Sequence, residues 1–259
     1  MQGIDVSADQ GRIDWEKVRA DGVDFAVVKA TQGRGEGALT RLLPRFTVPT
    51  FKANVIGAAA AGLDVSVYHY FTGDTPERAI TEADYFLDTI EPYHDKISGY
   101  AAVDVESKPY LSGLTPARLA AAVEAFVQRV YERGFQPLIY TNPDFLVYKL
   151  PASFRNDHDI WLAHWGVSRP FQVPYLQMWQ YGAGYVDGIR GIVDLDVGYY
   201  DTREVIHAWK VGDVYTIKPG DKWSTGYAVP ARLIGRQYPI IQVKEGAVLL
   251  GGIVSWVKL

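Results

Sequence analysis

The sequence predicts an α/β fold, a modified (β/α)8-like barrel with an irregular second half, followed by a small all-β module. Three observations carry this expectation. Short β-branched or aromatic runs alternate with helix-like runs over the first 200 residues, the pattern of β/α units. The helix-like runs give out after about residue 134, while strand-like runs continue. Near residue 206 the chain changes to period-two alternation broken by turn signals, as short antiparallel strands require.

Taken in order, strands are expected over 3–6, 24–30, 64–71, 99–106, 137–141, 160–165, 176–181 and 192–197, each bounded by Gly, Pro or Asp. Helices are expected over 14–20, 51–61, 76–90 and 116–133. Thr75 and Thr115 stand as N-caps, with Pro76 and Pro116 in the first helical position, and Gly62 and Gly134 close two of the helices. Eight strands in this order suit a closed barrel, and an open doubly wound sheet is the alternative. Residues 207–259 carry turn signals at Pro219-Gly220, Gly235, Glu245-Gly246 and Gly251-Gly252. The expected domains are therefore 1–206 and 207–259.

Composition narrows the function classes. The chain has 259 residues, 48% hydrophobic and 22% charged, which excludes disorder as the main state. No apolar run approaches the roughly 18 residues of a membrane helix, so membrane insertion is not expected. With no cysteine, disulfides, thiolate catalysis and Cys-type metal sites are removed together. Residues 207–259 hold 7 basic and 3 acidic groups, against 19 and 27 in residues 1–206, so a +4 tail follows a −8 body. An acidic body argues against nucleic acid as a partner. The basic tail fits an anionic surface, or plain solvation.

Carboxylates and aromatics point to the chemistry. Asp104 and Glu106 are separated by one residue at a strand end, so they share a face about 7 Å apart at the Cα. Like charges at that range push one acid's pKa up, producing a donor and an anion. A solvated strand end, or an ion pair with Lys29 or Lys108, is the plainer reading. Asp194 and Asp196 repeat the spacing on the last strand, and Asp5 lies on the first. Closure of a barrel makes those two strands neighbours, bringing Asp5 and one of these aspartates toward the Asp104/Glu106 face. Tyr68, Tyr70, Phe71, Tyr140, Trp161, Trp165, Trp179 and Tyr181 crowd the same strand ends. Of these, Tyr70, Tyr140, Trp165 and Tyr181 are expected to face the cleft. Carboxylates ringed by aromatic faces are what glycoside hydrolysis uses. HExxH, GxSxG and GxxxxGK[ST] motifs are missing, so no metal or other cofactor is expected. His69 and His164, flanked by aromatics, read as packed or hydrogen-bonded side chains.

The strings GIDVS, DFAVVKAT, VYHYF, AAVDVE, PLIYTN, IWLAHW, QMWQYG and GIVDLDV occur in this order over about 200 residues. Together they resemble the glycoside hydrolase family 25 lysozymes, the muramidases found in many phage endolysins. The resemblance implies a modified β/α barrel that cleaves the β-1,4 bond between N-acetylmuramic acid and N-acetylglucosamine in peptidoglycan. Carried over by position, it implies Glu106 as general acid and Asp104 as the partner that stabilises positive charge or orients the substrate's N-acetyl group. Asp5 and Asp194 then complete the cleft, while Asp196 falls at a variable place and stays outside the catalytic set. Residues 32–50 depart from the family pattern, which would reshape the cleft rim.

The tail, with its GD start, Trp-Ser-x-Gly segment and SWV end, resembles SH3-like cell-wall-binding domains. This implies tethering to a Gram-positive wall, with Trp223, Tyr227 and Tyr238 as contacts and Trp256 as core. The N-terminus MQGIDVSADQ has no secretory pattern. The expectation is an endolysin made in the host cytoplasm that acts at the wall after a separate membrane-permeabilising protein opens the way. A catalytically silent wall-binding protein and a chitinase-like barrel are the alternatives, and the lack of a DxxDxDxE string speaks against the second.

Overall fold

The computed structural model describes residues 1–33, 46–199, 211–212, 214–217, 221–244 and 246–258. It divides the chain into two compact units, Met1–Val205 and Ile206–Leu259.

The first unit runs β1 (Gln2–Val6), α1 (Trp15–Ala20), β2 (Phe25–Gln32), β3 (Phe46–Thr47), α2 (Phe51–Ala60), β4 (Asp64–Tyr70), α3 (Pro76–Ile90) and β5 (Tyr100–Asp104). It continues through α4 (Lys108–Leu111), α5 (Pro116–Glu132), β6 (Gln136–Thr141), α6 (Phe154–Asp157), β7 (Ile160–Ala163), β8 (Leu176–Gly184) and β9 (Val193–Gly198). The sheet order is β1-β9-β8-β7-β6-β5-β4-β2-β3, and β1 also pairs with β2. That extra pairing closes eight strands into a ring and rules out the open sheet; the two-residue β3 sits outside the ring. Seven ring strands are parallel, and β9 runs antiparallel to both β8 and β1. No helix is present between β7, β8 and β9, which is the irregular second half.

The helix ends follow their local chemistry. Thr75 and Thr115 accept hydrogen bonds from the backbone N–H of Arg78 and Arg118, satisfying donors that the first turn leaves open. Gly134 closes α5 at φ 81°, left-handed backbone that a side chain disfavours. α3 and α5 bury Phe86, Leu87, Phe126 and Val130 in the layer between strands and helices.

Period two along each strand divides inside from outside. On β2, Ala26 and Val28 join the outer core, whereas Phe25 and Val27 join Tyr68, Tyr100, Ala102, Leu138, Tyr140, Trp161 and Met178 inside the ring. The interior series turn polar toward the C-terminal ends: Phe25, Val27, Lys29 on β2 and Tyr100, Ala102, Asp104 on β5. Because β9 is antiparallel, its early residue Asp194 pairs with Asp5, and Asp196 pairs with Gly3 one layer deeper.

The second unit has β10 (Val214–Thr216), β11 (Lys222–Trp223), β12 (Gln237–Lys244), β13 (Ala247–Leu250) and β14 (Ser255–Lys258). They form an antiparallel sheet in the order β10-β12-β13-β14-β11. Tyr215, Ile217, Val229, Ile240, Val248, Leu250 and Val257 make its core.

Candidate active site

At the C-terminal ends of the parallel strands lies a cavity of about 200 Å³, lined by Asp5, Ser7, Asp9, Gln10, Lys29, Tyr68, Tyr70, Asp104, Glu106 and Asp194. Asp104 is the last residue of β5. It is 5% exposed, and its Oδ1 has no hydrogen-bond donor among the described residues. Glu106 lies two residues beyond the strand end and is only half-buried. Expected to lie within the strand, it instead lies on the short segment that joins β5 to α4.

Burial and like charge raise the acids of this cavity. Burial pushes the Asp104 carboxyl well up, the Glu106 charge adds to this, and Lys29 opposes it. Glu106 is raised by burial and by Asp194, with Lys29 again opposing. Asp194 is raised by burial. Asp5 is pushed up to about 7 by burial and by Asp194. Lys29 is lowered by its own burial and supported by Asp104, Asp9, Glu106 and Asp5. Its Nζ lies 4.9 Å from the centroid of the Tyr70 ring and 5.9 Å from that of Tyr68, so aromatic faces help hold a cation among acids. A β-bulge between Lys29 and Thr31 interrupts the pairing of β2 with β4 at this point.

Gln180 on β8 is the polar hub beneath the rim. Its Nε2 donates to Asp5 Oδ2 at 2.7 Å, and its Oε1 accepts from Tyr140 Oη at 3.1 Å and Trp165 Nε1 at 3.0 Å. Asp196, fully buried on β9, accepts from Trp161 Nε1 at 2.7 Å.

The cavity thus gathers Asp5, Asp104, Glu106, Asp194 and Tyr70. Tyr140 is buried against Trp161, with ring centroids 4.5 Å apart, and touches the site through Gln180. Trp165 lies past the end of β7, 50% exposed. Tyr181 packs on Trp179 at 5.6 Å and is not a lining residue. Sequence reasoning passed over Gln180 and Asp196 as site residues and saw Lys29 only as an ion-pair partner. A glutamine two residues from Met178, on the same face of β8, was the available signal. His69 is buried, with Nδ1 2.8 Å from Thr31 Oγ1 and Nε2 2.8 Å from Glu82 Oε2. His164 Nδ1 accepts from the Phe171 N–H. The departure at residues 32–50 falls mostly outside the described residues.

In the second unit, Trp223 and Tyr238 are half-buried against the core and Tyr227 is 77% exposed. Trp256, expected in the core, is half-buried with Lys244 Nζ 4.3 Å from its ring centroid. The hairpin register explains the difference: Val257, its strand neighbour, takes the inward position.

A closed β/α barrel with carboxyl groups gathered at the C-terminal strand ends defines a protein equipped for acid–base chemistry in a narrow polar cleft. The chain belongs to the glycosyl hydrolases of family 25, whose model matches residues 4–189. It is 30% identical over 221 residues to the autolytic lysozyme of Clostridium acetobutylicum, an alignment covering 85% of this chain and 60% of that protein. It is 30% identical over 213 residues to lysozyme M1 of Streptomyces globisporus, covering 75% and 66%. The crystal structure of the bacterial lysozyme from Streptomyces coelicolor superposes with a TM-score of 0.61 at 27% identity, covering 79% of this chain and 94% of that one.

Proposed function

We propose that the chain is an N-acetylmuramidase that hydrolyses the β-1,4 bond between N-acetylmuramic acid and N-acetylglucosamine in peptidoglycan. The observation that carries this reading is the pairing of a half-buried Glu106 with a deeper, buried Asp104 on the lining of one cavity, together with Lys29. Family membership and the lysozyme names of the relatives support it.

Burial and like charge favour the protonated form of the Asp104/Glu106 pair, and Lys29 opposes this. A substrate N–H donated to the Asp104 carboxylate favours the Asp104 anion, leaving the proton with Glu106. Glu106 then protonates the glycosidic oxygen, and the C1–O bond breaks with its electron pair going to that oxygen. Positive charge developing at the sugar ring is stabilised by Asp104, either directly or through the substrate's acetamido oxygen. Water adds at C1, and its proton restores Glu106. Trp165 and Tyr70 supply apolar faces for sugar rings, and Asp5 and Asp194 line the same cavity.

The second unit, read as an SH3-like domain, would hold the enzyme on a Gram-positive wall through Tyr227, Trp223 and Tyr238, raising local substrate concentration. Tyr227 is the most exposed of the three. The proposed setting is that of a phage or prophage endolysin, made in the host cytoplasm and released by a separate membrane-permeabilising protein.

The test is mass spectrometry of Gram-positive peptidoglycan digested with wild type and with Glu106→Gln. New reducing ends on N-acetylmuramic acid with wild type alone are the expected result. Cleavage by both proteins would remove Glu106 from its role, and cleavage by neither would favour a protein that only binds the wall.

A further inference from the structure

Asp196 lies at the base of the site with its two carboxyl oxygens in different surroundings. Oδ1 accepts from Trp161 Nε1 at 2.7 Å, and an indole nitrogen can only donate. Oδ2 is buried with no donor among the described residues. The Asp5 carboxyl is its near neighbour, close enough for each acid to act on the other through charge and side-chain contact.

Asp5 is constrained in the same way. Its Oδ2 accepts from Gln180 Nε2 at 2.7 Å. The amide cannot be turned round, because Oε1 faces Trp165 Nε1, a second donor-only group. The β1–β9 register explains the approach: Asp5 stands opposite Asp194, while Asp196 stands opposite Gly3, which has no side chain to separate the two acids. A Cβ at Gly3 would strike the Phe25 ring, so that space stays closed to anything larger. Two carboxylate anions cannot hydrogen-bond to each other.

We propose that Asp196 is a positioning residue that keeps a proton at neutral pH and donates it to Asp5, holding the Asp5 carboxylate toward the cavity from below while Gln180 holds it from the side. The activity arm of this proposal rests on the muramidase reading. The charged and titratable groups facing the pair are Asp194 from β9, Asp104 from β5, Glu106 beyond β5, Lys29 from β2, Tyr68 from β4 and Tyr140 from β6. Burial first, then the Asp5 and Asp194 charges, raises the Asp196 carboxyl well above its ordinary value. Its hydrogen bond in turn favours the Asp5 anion.

Asp196→Asn tests this because the amide copies a protonated carboxyl: Nδ2 can donate to Asp5 and Oδ1 can accept from Trp161. At pH 7 the Asn variant should keep kcat within threefold of wild type on peptidoglycan. Asp196→Leu, branched at Cγ like aspartate but without a donor, should lose at least tenfold in kcat with KM little changed. A tenfold or greater loss in a folded Asn variant would show that Asp196 works as an anion and overturn the proposal. So would a Leu variant within threefold of wild type.

A second measurement needs no turnover and no Leu variant. In wild type labelled with 13C at the aspartate carboxyls, the signal missing from Asp196→Asn should keep its protonated shift from pH 5 to 8. Titration of that signal near pH 4 overturns the assignment whatever the enzyme cleaves. Wild type inactive on peptidoglycan, with this signal still protonated at pH 8, would sink the muramidase reading and uphold the proton on Asp196.

Discussion

Asp5→Asn should make the barrel's stability markedly less sensitive to pH. Asp5 is buried, and its carboxyl is pushed from 3.8 up to about 7 in the folded chain. A raised acid binds its proton more tightly folded than unfolded, so its contribution is fully present below about pH 4 and is lost as pH rises through about 7. At about 1.4 kcal/mol per pH unit, the interval from 3.8 to about 7 amounts to about 4 kcal/mol by pH 8. About 2 kcal/mol of this has already gone by pH 5, so wild type should lose about 2 to 3 kcal/mol more than the variant between pH 5 and pH 8. Asparagine keeps an acceptor for Gln180 Nε2, so the hydrogen bond at 2.7 Å need not be lost. Urea denaturation of both proteins at pH 5 and pH 8, at unchanged m, measures the difference directly. Equal pH dependence in the two proteins would refute the argument that Asp5 ionises only at a cost in the folded barrel. The stabilised variant should also be a poorer enzyme, as expected where a site stores electrostatic strain.

Glu82→Ala should destabilise the barrel by about 3 to 5 kcal/mol in the same denaturation assay, because it removes one partner of a buried pair. His69 Nε2 and the Thr72 N–H and hydroxyl all lose their acceptor, and Glu82→Gln, which keeps an acceptor, should cost less. Deleting residues 207–259 should lower sedimentation with Gram-positive walls more than hydrolysis of soluble glycan fragments. Equal losses in both would make the second unit a stabilising part only.

Much of the frame was legible because it depends on local chemistry. Thr75-Pro76 and Thr115-Pro116 announce helix starts through backbone donors that need an acceptor, and α3 begins and ends at the residues expected of it. Alternation told which residues share a face: Asp104 with Glu106, and Asp194 with Asp196. The tertiary structure alone decided how deep each residue sits. Asp194 and Asp196 look equivalent along the chain, but the antiparallel run of β9 sets Asp194 at the cavity and sends Asp196 into the interior beside Trp161. Tyr140 and Trp165 were expected alike at the cleft, yet one lies inside the barrel and the other beyond a strand that ends at Ala163. Side-chain period is a property of one strand, whereas depth in a barrel comes from strand direction and register against neighbours far away in sequence. For that reason the types of residue in the site could be read from the chain, and their assignment to donor, anion or buried support waited on the fold.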